Sequence, residues 1–412
     1  MHFFTYKHNQ LYGEGVSIKK IANEVGTPFY LYSLKTLQRH VREFEFPFKN
    51  FPHITCYSVK ACSNLHILEC LKTWGSGFDI VSGGELHRVK AINADPKKIV
   101  FSGVGKTREE LEAAIDFGIL LINVESGAEL KTIEEIATRR KKKVSLSLRI
   151  NPDVDAKTHK HITTGKRGNK FGIEMNEACA LYKKYRKHPY LSLEGLACHI
   201  GSQLTTLNPL VAAIKKTKMF MNELYKNGIT IRYLDIGGGL GITYNKENPP
   251  HPRVYGKKVC ELLEGYKITL ILEPGRVLIG NAGILITKVL YIKKSGDKTF
   301  IIVDAGMNDL IRPSLYGSYQ EIIPLNKRNT SKIRADIVGP ICETTDTFAK
   351  DRLIEEPHEG DLFAIMSAGA YGFSMSSQYN SRPRGTEILV NGKNYSVIRK
   401  RETYEDLIVH EI

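Results

Sequence analysis

Six short polar segments follow apolar runs along the chain, and together they carry the side chains that catalysis uses most. Each segment comes where a predicted strand ends. They are Lys60, Asp79, 149–152, 199–203, 235–239 and 273–276. An amine can attack a carbonyl group, an imidazole or a carboxylate can hold a proton, and a glycine-rich turn with an arginine can bind phosphate. These groups therefore predict a site that holds a phosphorylated organic molecule.

Lys60 is the residue around which this hypothesis is built. The run before it, 53–59, is rich in β-branched and aromatic residues and predicts a buried strand. A lysine at a strand end is usually a solvated surface group. Its functional interpretation therefore depends on the fold that places the other segments beside it.

The spacing of the apolar runs predicts that fold. Helical patterns such as Arg108–Ile115 and Ala128–Ala137 separate the runs. Strand-like runs recur near Cys56, Phe78, Val100, Ile122, Leu146, Leu196, Leu234 and Ile271. Eight strands alternating with helices predict an α/β fold of the (β/α)8 TIM-barrel type over 34–282, with an open doubly wound sheet as the alternative. Active sites of such barrels lie at the carboxyl ends of the strands, where all six polar segments fall.

The rest of the chain predicts a second, all-β domain of β-barrel-like character, formed by 1–33 and 283–412. The N-terminal part contains one predicted helix, 17–26, with a serine start and a glycine stop, and then a strand within 27–33. Beyond Gly283 the predicted elements are short strands. Examples are 284–293, 299–303, 333–338, 361–366 and 387–390.

Composition and charge restrict the function classes. The chain has 412 residues with 42% hydrophobic content, and its seven cysteines are scattered without a Cys-x-x-Cys pair, which disfavours disulfides and a zinc site. The net charge of +15 is spread over the chain, and the basic run 139–143 falls at a helical pattern's end, so neither nucleic acid nor membrane is an expected partner. Without a signal peptide or membrane span, a cytoplasmic protein is expected.

Two nucleotide-binding motifs are disfavoured by their details. The glycines 237–239 lack the dinucleotide spacing and follow the seventh strand, and 105–107 lacks the first glycine of a P-loop. An amine, a glycine turn, Arg276 and the carboxylate of Glu273 instead suit pyridoxal 5'-phosphate. The amine would bond the cofactor, the glycines and arginine would hold its phosphate, and the carboxylate would pair with the ring nitrogen.

Five ordered motifs resemble the alanine-racemase-fold group of pyridoxal phosphate decarboxylases, and most closely the members that act on diaminopimelate. The motifs are 57–61, 77–79, 199–203, 235–241 and 273–276, and the similarity runs from about Gly15 to Tyr404. This resemblance implies decarboxylation of meso-2,6-diaminopimelate to L-lysine and CO2, the last step of lysine biosynthesis. A related substrate, carboxynorspermidine or ornithine, is the alternative. It also implies a homodimer whose active sites are shared between subunits.

The resemblance further implies residue roles. Lys60 would be the Schiff-base lysine, His199 would stack on the ring, and Cys342 would return the proton to the substrate's Cα. The implied cofactor-binding residues are Lys60, His199, Ser202, Gly237, Gly238, Gly239, Glu273, Gly275, Arg276 and Tyr371. The implied substrate-binding residues are Arg276, Arg312, Tyr316, Glu343 and Tyr371. In that family the residues matching Cys342 and Glu343 come from the partner subunit, and no metal is expected.

The chemistry of the substrate supports this choice independently. The far end of meso-diaminopimelate carries a carboxylate and an ammonium group, for which an arginine and a glutamate are matched partners. Arg312 and Glu343 fit that pair, whereas the far end of ornithine has only the ammonium, which an arginine would repel. Two departures from the family pattern, Ser58 and Cys62, are interpreted as packing variations.

Overall fold

The computed structural model describes residues 2–154, 169–328 and 330–412, and most of the loop 153–170 lies outside the described residues. The chain divides into two units, here named the barrel unit and the β unit. The barrel unit comprises Arg42–Gly241 and Asn248–Gly275. The β unit comprises Met1–Val41, Ile242–Glu247 and Arg276–Ile412. The domain bounds 34–282 and 1–33 with 283–412 stay predictions.

The N-terminal segment forms short strands and two helices. They are β1 Phe4–Lys7, β2 Gln10–Gly13, β3 Val16–Ser17, α1 Ile18–Val25, β4 Phe29–Ser33 and α2 Leu34–Glu45. The predicted helix is α1, whose first turn is capped by the Ser17 side chain and which ends at Gly26 with a φ of 70°. The Ser33 hydroxyl accepts the N–H of Thr36 and so begins α2.

Eight parallel strands close the predicted TIM barrel, each near its predicted centre. The strands are β5 His53–Ser58, β6 Gly77–Ile80, β7 Ile99–Phe101, β8 Leu121–Val124, β9 Val144–Arg149, β10 Leu191–Ala197, β11 Tyr233–Asp235 and β12 Thr269–Leu272. The helices between them are α3 Leu65–Thr73, α4 Gly83–Ala91, α5 Arg108–Phe117, α6 Gly127–Arg140, α7 Met175–Tyr185, α8 Asn208–Lys226 and α9 Pro252–Leu263. The open doubly wound alternative is therefore wrong.

Local sequence explains where the barrel helices begin and end. Thr107 and Glu110 form a capping box at the start of α5, and Gly118 ends that helix with a φ of 74°. The basic run 139–143 begins in the last turn of α6, where cations suit the helix dipole. Arg140 forms an ion pair of 3.1 Å with Asp116 of α5, so this part of the run serves helix packing.

The segment after the barrel forms the sheet part of the β unit. Its elements are α10 Arg276–Ile279, β13 Gly283–Ser295, β14 Lys298–Val303, α11 Arg312–Tyr316, β15 Ile322–Pro324, β16 Lys332–Val338, β17 Thr347–Glu355, β18 Leu362–Ile365, β19 Thr386–Asn391, β20 Asn394–Arg399 and α12 Tyr404–Ile408. A nine-stranded sheet runs in the order β17, β16, β14, β13, β4, β19 and β20, with β18 on β13 and β15 on β18. This confirms the prediction of a second, mostly β domain.

The N-terminal strands join this unit in two ways. Strand β4 lies between β13 and β19, antiparallel to the first and parallel to the second. Strands β1 to β3 form a separate three-stranded sheet. Buried apolar side chains from both sheets and from α1 share one core, which includes Leu11, Ile21, Leu31, Ile284 and Ile388. No helix in the described ranges is long and apolar enough to cross a membrane.

Candidate active site

Lys60 lies in a short 3-10 helix, Val59–Ala61, directly after β5. Its Nζ donates a hydrogen bond of 2.5 Å to Oδ2 of Asp79, whose side chain is fully buried on β6. The Ser58 hydroxyl donates to the same oxygen at 2.9 Å. The interpretation of Ser58 as a packing variation therefore missed a polar contact. The hydrogen bond to Asp79 holds the amine in place, and the amine stays accessible because 38% of the Lys60 side chain is exposed.

A buried group of carboxyl and amide side chains lies at the ends of four barrel strands. Ser102 donates to Oε1 of Glu273 at 3.1 Å, and Asn123 donates to Oδ2 of Asp235 at 2.8 Å. Burial, and then the negative charges of Asp235 and Asp79, raise the pKa of Glu273 well above its usual value. A cation next to Glu273 would favour its ionised form, so this carboxyl suits a protonated ring nitrogen.

Two members of this group, Ser102 and Asn123, were not predicted from the sequence. Ser102 directly follows β7 and Asn123 lies on β8. A sequence signal for both exists, since each is a polar residue in or next to an apolar run at the carboxyl end of a barrel strand.

His199 follows β10 and faces the same end of the barrel. Its Nδ1 accepts the N–H of Gly238 at 3.3 Å, which leaves the ring proton on Nε2. Burial, together with the nearby charges of Arg149 and Lys60, lowers the pKa of His199 to about 3. The imidazole is therefore neutral at physiological pH. A neutral ring can stack on an aromatic group without taking up a proton there.

The glycine turn after β11 has no room for side chains. A Cβ on Gly238 would lie 2.1 Å from the Glu273 carbonyl oxygen, and one on Gly237 would lie 2.5 Å from Nδ1 of His199. Gly239 has a φ of 110°, which favours glycine. A Cβ there would meet the Gly201 carbonyl oxygen, so the segment containing Ser202 packs directly on this turn. The bare backbone is a surface that a phosphate could approach closely.

Glu85, at the start of α4, is a further titratable group near Lys60. Its carboxylate accepts the N–H of Val81 at 2.8 Å. Burial raises the pKa of Glu85 to about 7, and the positive charge of Lys60 opposes that rise. Because the folded chain binds this proton more tightly than the unfolded chain does, Glu85 makes folding less favourable as pH rises from about 4.5 to 7.

Glu85→Gln should therefore stabilise the cofactor-free protein at pH 8 and have little effect at pH 5. The expected gain at pH 8 is on the order of 2 kcal/mol, because the penalty for ionising the buried carboxyl is removed. Urea unfolding at the two pH values measures it. Glu264→Gln, at an exposed position after α9, is the control and should change neither value. An equal gain at both pH values would contradict the assignment.

The β unit contains a second cluster, named here the arginine cluster: the predicted site residues Arg276, Arg312 and Tyr371, together with Tyr244, which was not predicted. Arg276 and Arg312 each begin a short helix, α10 and α11, and are 6% and 5% exposed. Their Nη1 atoms donate to the Tyr244 hydroxyl oxygen at 2.6 and 2.5 Å. The guanidinium group of Arg276 also lies 4.9 Å from the centre of the Tyr371 ring.

This arrangement concentrates positive charge. The two guanidinium nitrogens on one oxygen lie within about 5 Å of each other, where like charges repel by about 3 kcal/mol at an effective dielectric constant of 20. The backbone of Tyr371 has a φ of 56°, which is uncommon for a tyrosine and frequent at binding sites. Buried cations held this closely are suited to bind an anion. Burial lowers the pKa of Arg276, but the neighbouring Tyr244 and Tyr371, and to a smaller extent Tyr316 at the end of α11, raise it above its usual value.

Cys342 and Glu343 lie in a different segment of the β unit, and both are exposed in the single chain. The buried carboxylate of Asp346 holds this segment, since it accepts the N–H groups of Ile341 and Met307, both at 2.7 Å. The Cys342 N–H donates to Asn380 at 2.9 Å, and Glu343 accepts the Tyr379 hydroxyl. The structure thus places these two residues side by side, and their hydrogen-bond partners, Asn380 and Tyr379, lie outside the arginine cluster.

The barrel residues fit pyridoxal phosphate. The cofactor's aldehyde requires an accessible amine, and its ring face can be covered by a neutral imidazole. Its ring nitrogen requires a carboxyl group, and a cation next to Glu273 would lower the raised pKa of that carboxyl. Two buried oxygens, Oδ1 of Asp79 and Oδ1 of Asn123, have no hydrogen-bond partner among the described residues. Such buried acceptors are costly unless a donor reaches them, which supports a bound polar group at this end of the barrel.

Comparison with known proteins agrees with this geometry. Residues 34–280 match the family model described as pyridoxal-dependent decarboxylase, pyridoxal binding domain. A diaminopimelate decarboxylase from Haemophilus influenzae is 49% identical over 99% of this chain and 98% of that protein. The diaminopimelate decarboxylase from Vibrio cholerae is 48% identical over 99% of this chain and 98% of the Vibrio protein.

Solved structures agree as well. The crystal structure of diaminopimelate decarboxylase from Helicobacter pylori complexed with L-lysine is 43% identical, with a TM-score of 0.93, and covers 96% of this chain and 99% of that chain. Family model, relatives matched over nearly their whole length and solved structure all point to the same family. The chain belongs to the diaminopimelate decarboxylase family of pyridoxal-phosphate-dependent enzymes.

Proposed function

We propose that this protein converts meso-2,6-diaminopimelate to L-lysine and CO2, the last step of lysine biosynthesis, with pyridoxal 5'-phosphate as its cofactor. The observation that carries the proposal is the accessible Lys60 amine, held by the buried Asp79 in a barrel whose Glu273 has a raised pKa. The bound cofactor supplies an electron-withdrawing ring that stabilises the carbanion left when CO2 departs. The barrel over 34–282 is the proposed cofactor-binding domain.

Each barrel residue has a proposed task. Lys60 joins the cofactor, and Asp79 orients its amine. Glu273 pairs with the ring nitrogen, so that a proton there is held rather than lost. The neutral imidazole of His199 covers one ring face and excludes water from it. The phosphate is bound by Ser202, Gly237, Gly238, Gly239, Gly275, Arg276 and Tyr371.

The β unit provides recognition and the returning proton. Arg312, with Arg276, Tyr316 and Tyr371, binds the carboxylate that the reaction leaves in place, since a guanidinium group matches a carboxylate in charge and shape. Glu343 accepts the ammonium group beside that carboxylate. The Cys342 thiol donates the proton to Cα after CO2 has left.

The assembly proposed is a homodimer in the cytoplasm, with Cys342 and Glu343 completing the active site of the partner subunit. Support comes from the exposure of both residues in the single chain. Side chains that must reach another subunit's site have to be at the surface of their own subunit. The Asp346 contacts give their segment the fixed geometry that such a role needs.

A substrate panel tests the proposed reaction. With meso-diaminopimelate the holoenzyme should release CO2 and L-lysine in equal amounts, whereas ornithine should react with a kcat/KM lower by about 10³-fold or more. The reason is that a site built for a carboxylate leaves its arginine unpaired when that group is missing. Carboxynorspermidine, which carries a carboxylate, serves as the intermediate comparison. Comparable rates with ornithine, or no CO2 from any diamino acid, would disprove the proposal.

A further inference from the structure

Tyr244 lies at the centre of the arginine cluster, and the sequence motifs gave it no role. Its hydroxyl oxygen accepts hydrogen bonds from both Arg276 and Arg312, at 2.6 and 2.5 Å. A phenolic hydroxyl offers two acceptor lone pairs and one O–H donor. With both lone pairs used by the arginines, the group can take part in any further hydrogen bond only as a donor.

The surroundings of Tyr244 show what that donor would meet. Among the described residues the buried Nε of Arg312 has no hydrogen-bond partner, and its Nη1 donates to the Tyr244 hydroxyl oxygen and not to a carboxylate. The guanidinium groups lie 5.8 and 4.7 Å from the Tyr244 ring centre. Two buried cations and one O–H donor converge on the same place, which is a site for an oxyanion.

The position of Tyr244 is fixed by its own turn. The carboxylate of Glu247 accepts the N–H groups of Tyr244 and Asn245, at 3.1 and 2.7 Å, and the Thr243 hydroxyl donates to the Glu247 carbonyl oxygen. The tyrosine is 8% exposed. A hydroxyl held this way sets the spacing of the two guanidinium groups before any ligand arrives.

We propose that Tyr244 is an anion-binding and positioning residue: it sets the spacing of Arg276 and Arg312 and donates its O–H to an oxyanion that they bind. The inference rests on the proposed function for the identity of the anion, and it adds to that function a residue that determines specificity. The shared chemistry is a carboxylate or phosphate oxygen. Its source is either the carboxylate retained in L-lysine or the phosphate of the cofactor.

Tyr244→Phe is the test, because it removes one oxygen atom and keeps the ring that packs on both arginines. Tyr291→Phe, at a position 62% exposed on β13, is the matched control. Calorimetry on the holoenzyme measures binding of L-lysine and of cadaverine, which is lysine without its carboxylate. Titration of the cofactor-free protein with pyridoxal phosphate measures cofactor binding.

If the anion is the substrate's carboxylate, L-lysine should bind about 10- to 100-fold more weakly in Tyr244→Phe, with cadaverine and cofactor binding unchanged. If it is the phosphate, cofactor binding should weaken by that factor and L-lysine binding should not. Unchanged binding of all three ligands, or an equal loss for L-lysine and cadaverine, would overturn the proposal. A wild-type protein that binds L-lysine but releases no CO2 would disprove the proposed function alone.

Discussion

Lys60→Ala should remove the visible absorbance of the bound cofactor and lower turnover by at least about 10³-fold. Lys60 is the lysine whose amine is both accessible and held by Asp79 at the carboxyl end of the first barrel strand. Removing it takes away the nitrogen to which the cofactor's aldehyde would bond, and nucleophilic residues of this kind are seldom replaced by a neighbour. Spectra of the purified variant with added cofactor, and CO2 release from meso-diaminopimelate, measure the two effects.

Lys60→Arg separates loss of the amine from loss of the charge. An arginine can still pair with Asp79, so the buried carboxylate keeps a cation, but a guanidinium group does not bond an aldehyde under these conditions. Both variants should therefore lose absorbance and activity alike, while Lys60→Arg should unfold at a temperature closer to that of the wild type. Persistent visible absorbance in Lys60→Ala would assign the cofactor to a different lysine.

Cys342→Ala should lower kcat by about 10²- to 10⁴-fold and leave cofactor binding unchanged. The proposed proton donor is lost, and positioned acids usually contribute rate factors of that size. The thiol is exposed, and its segment is held by the backbone N–H groups of Ile341 and Cys342, which donate to the side chains of Asp346 and Asn380, so the substitution should not disturb the fold. Steady-state kinetics and a cofactor titration measure the two quantities. Unchanged turnover would remove Cys342 from the mechanism.

Two other cysteines that are not fully buried, Cys70 and Cys260, provide controls for the thiol itself. Their alanine variants should keep full activity. The shared-site proposal adds a sharper test, in which Lys60→Ala and Cys342→Ala chains are unfolded together and refolded. If each site takes Lys60 from one subunit and Cys342 from the other, mixed dimers regain one intact site and the mixture recovers about a quarter of wild-type activity. Absence of recovery would place both residues in one subunit's site.

Much of the fold could be read from sequence because its signals are local. All eight barrel strands lie where apolar, β-branched runs predicted them, and Ser17 and Gly26 bound α1 as their capping preferences indicate. The polar residues at strand ends could be grouped because the barrel topology alone brings those ends together. Strands β17 and β20 were not predicted, since exposed edge-type strands such as β20 alternate weakly and carry many polar residues.

The sequence by itself determined the barrel, the second β domain, Lys60 and the set of strand-end residues, because each depends on the chain's own periodicity and on one topological rule. Only the tertiary structure decided which groups bond: that Ser58 and Lys60 share Asp79, and that Tyr244 joins two arginines from separate helices. Such contacts join residues that are far apart in sequence, so no local pattern predicts them. Whether a carboxyl group keeps its proton depends on its burial and on neighbouring charges, and these too are set by the tertiary structure.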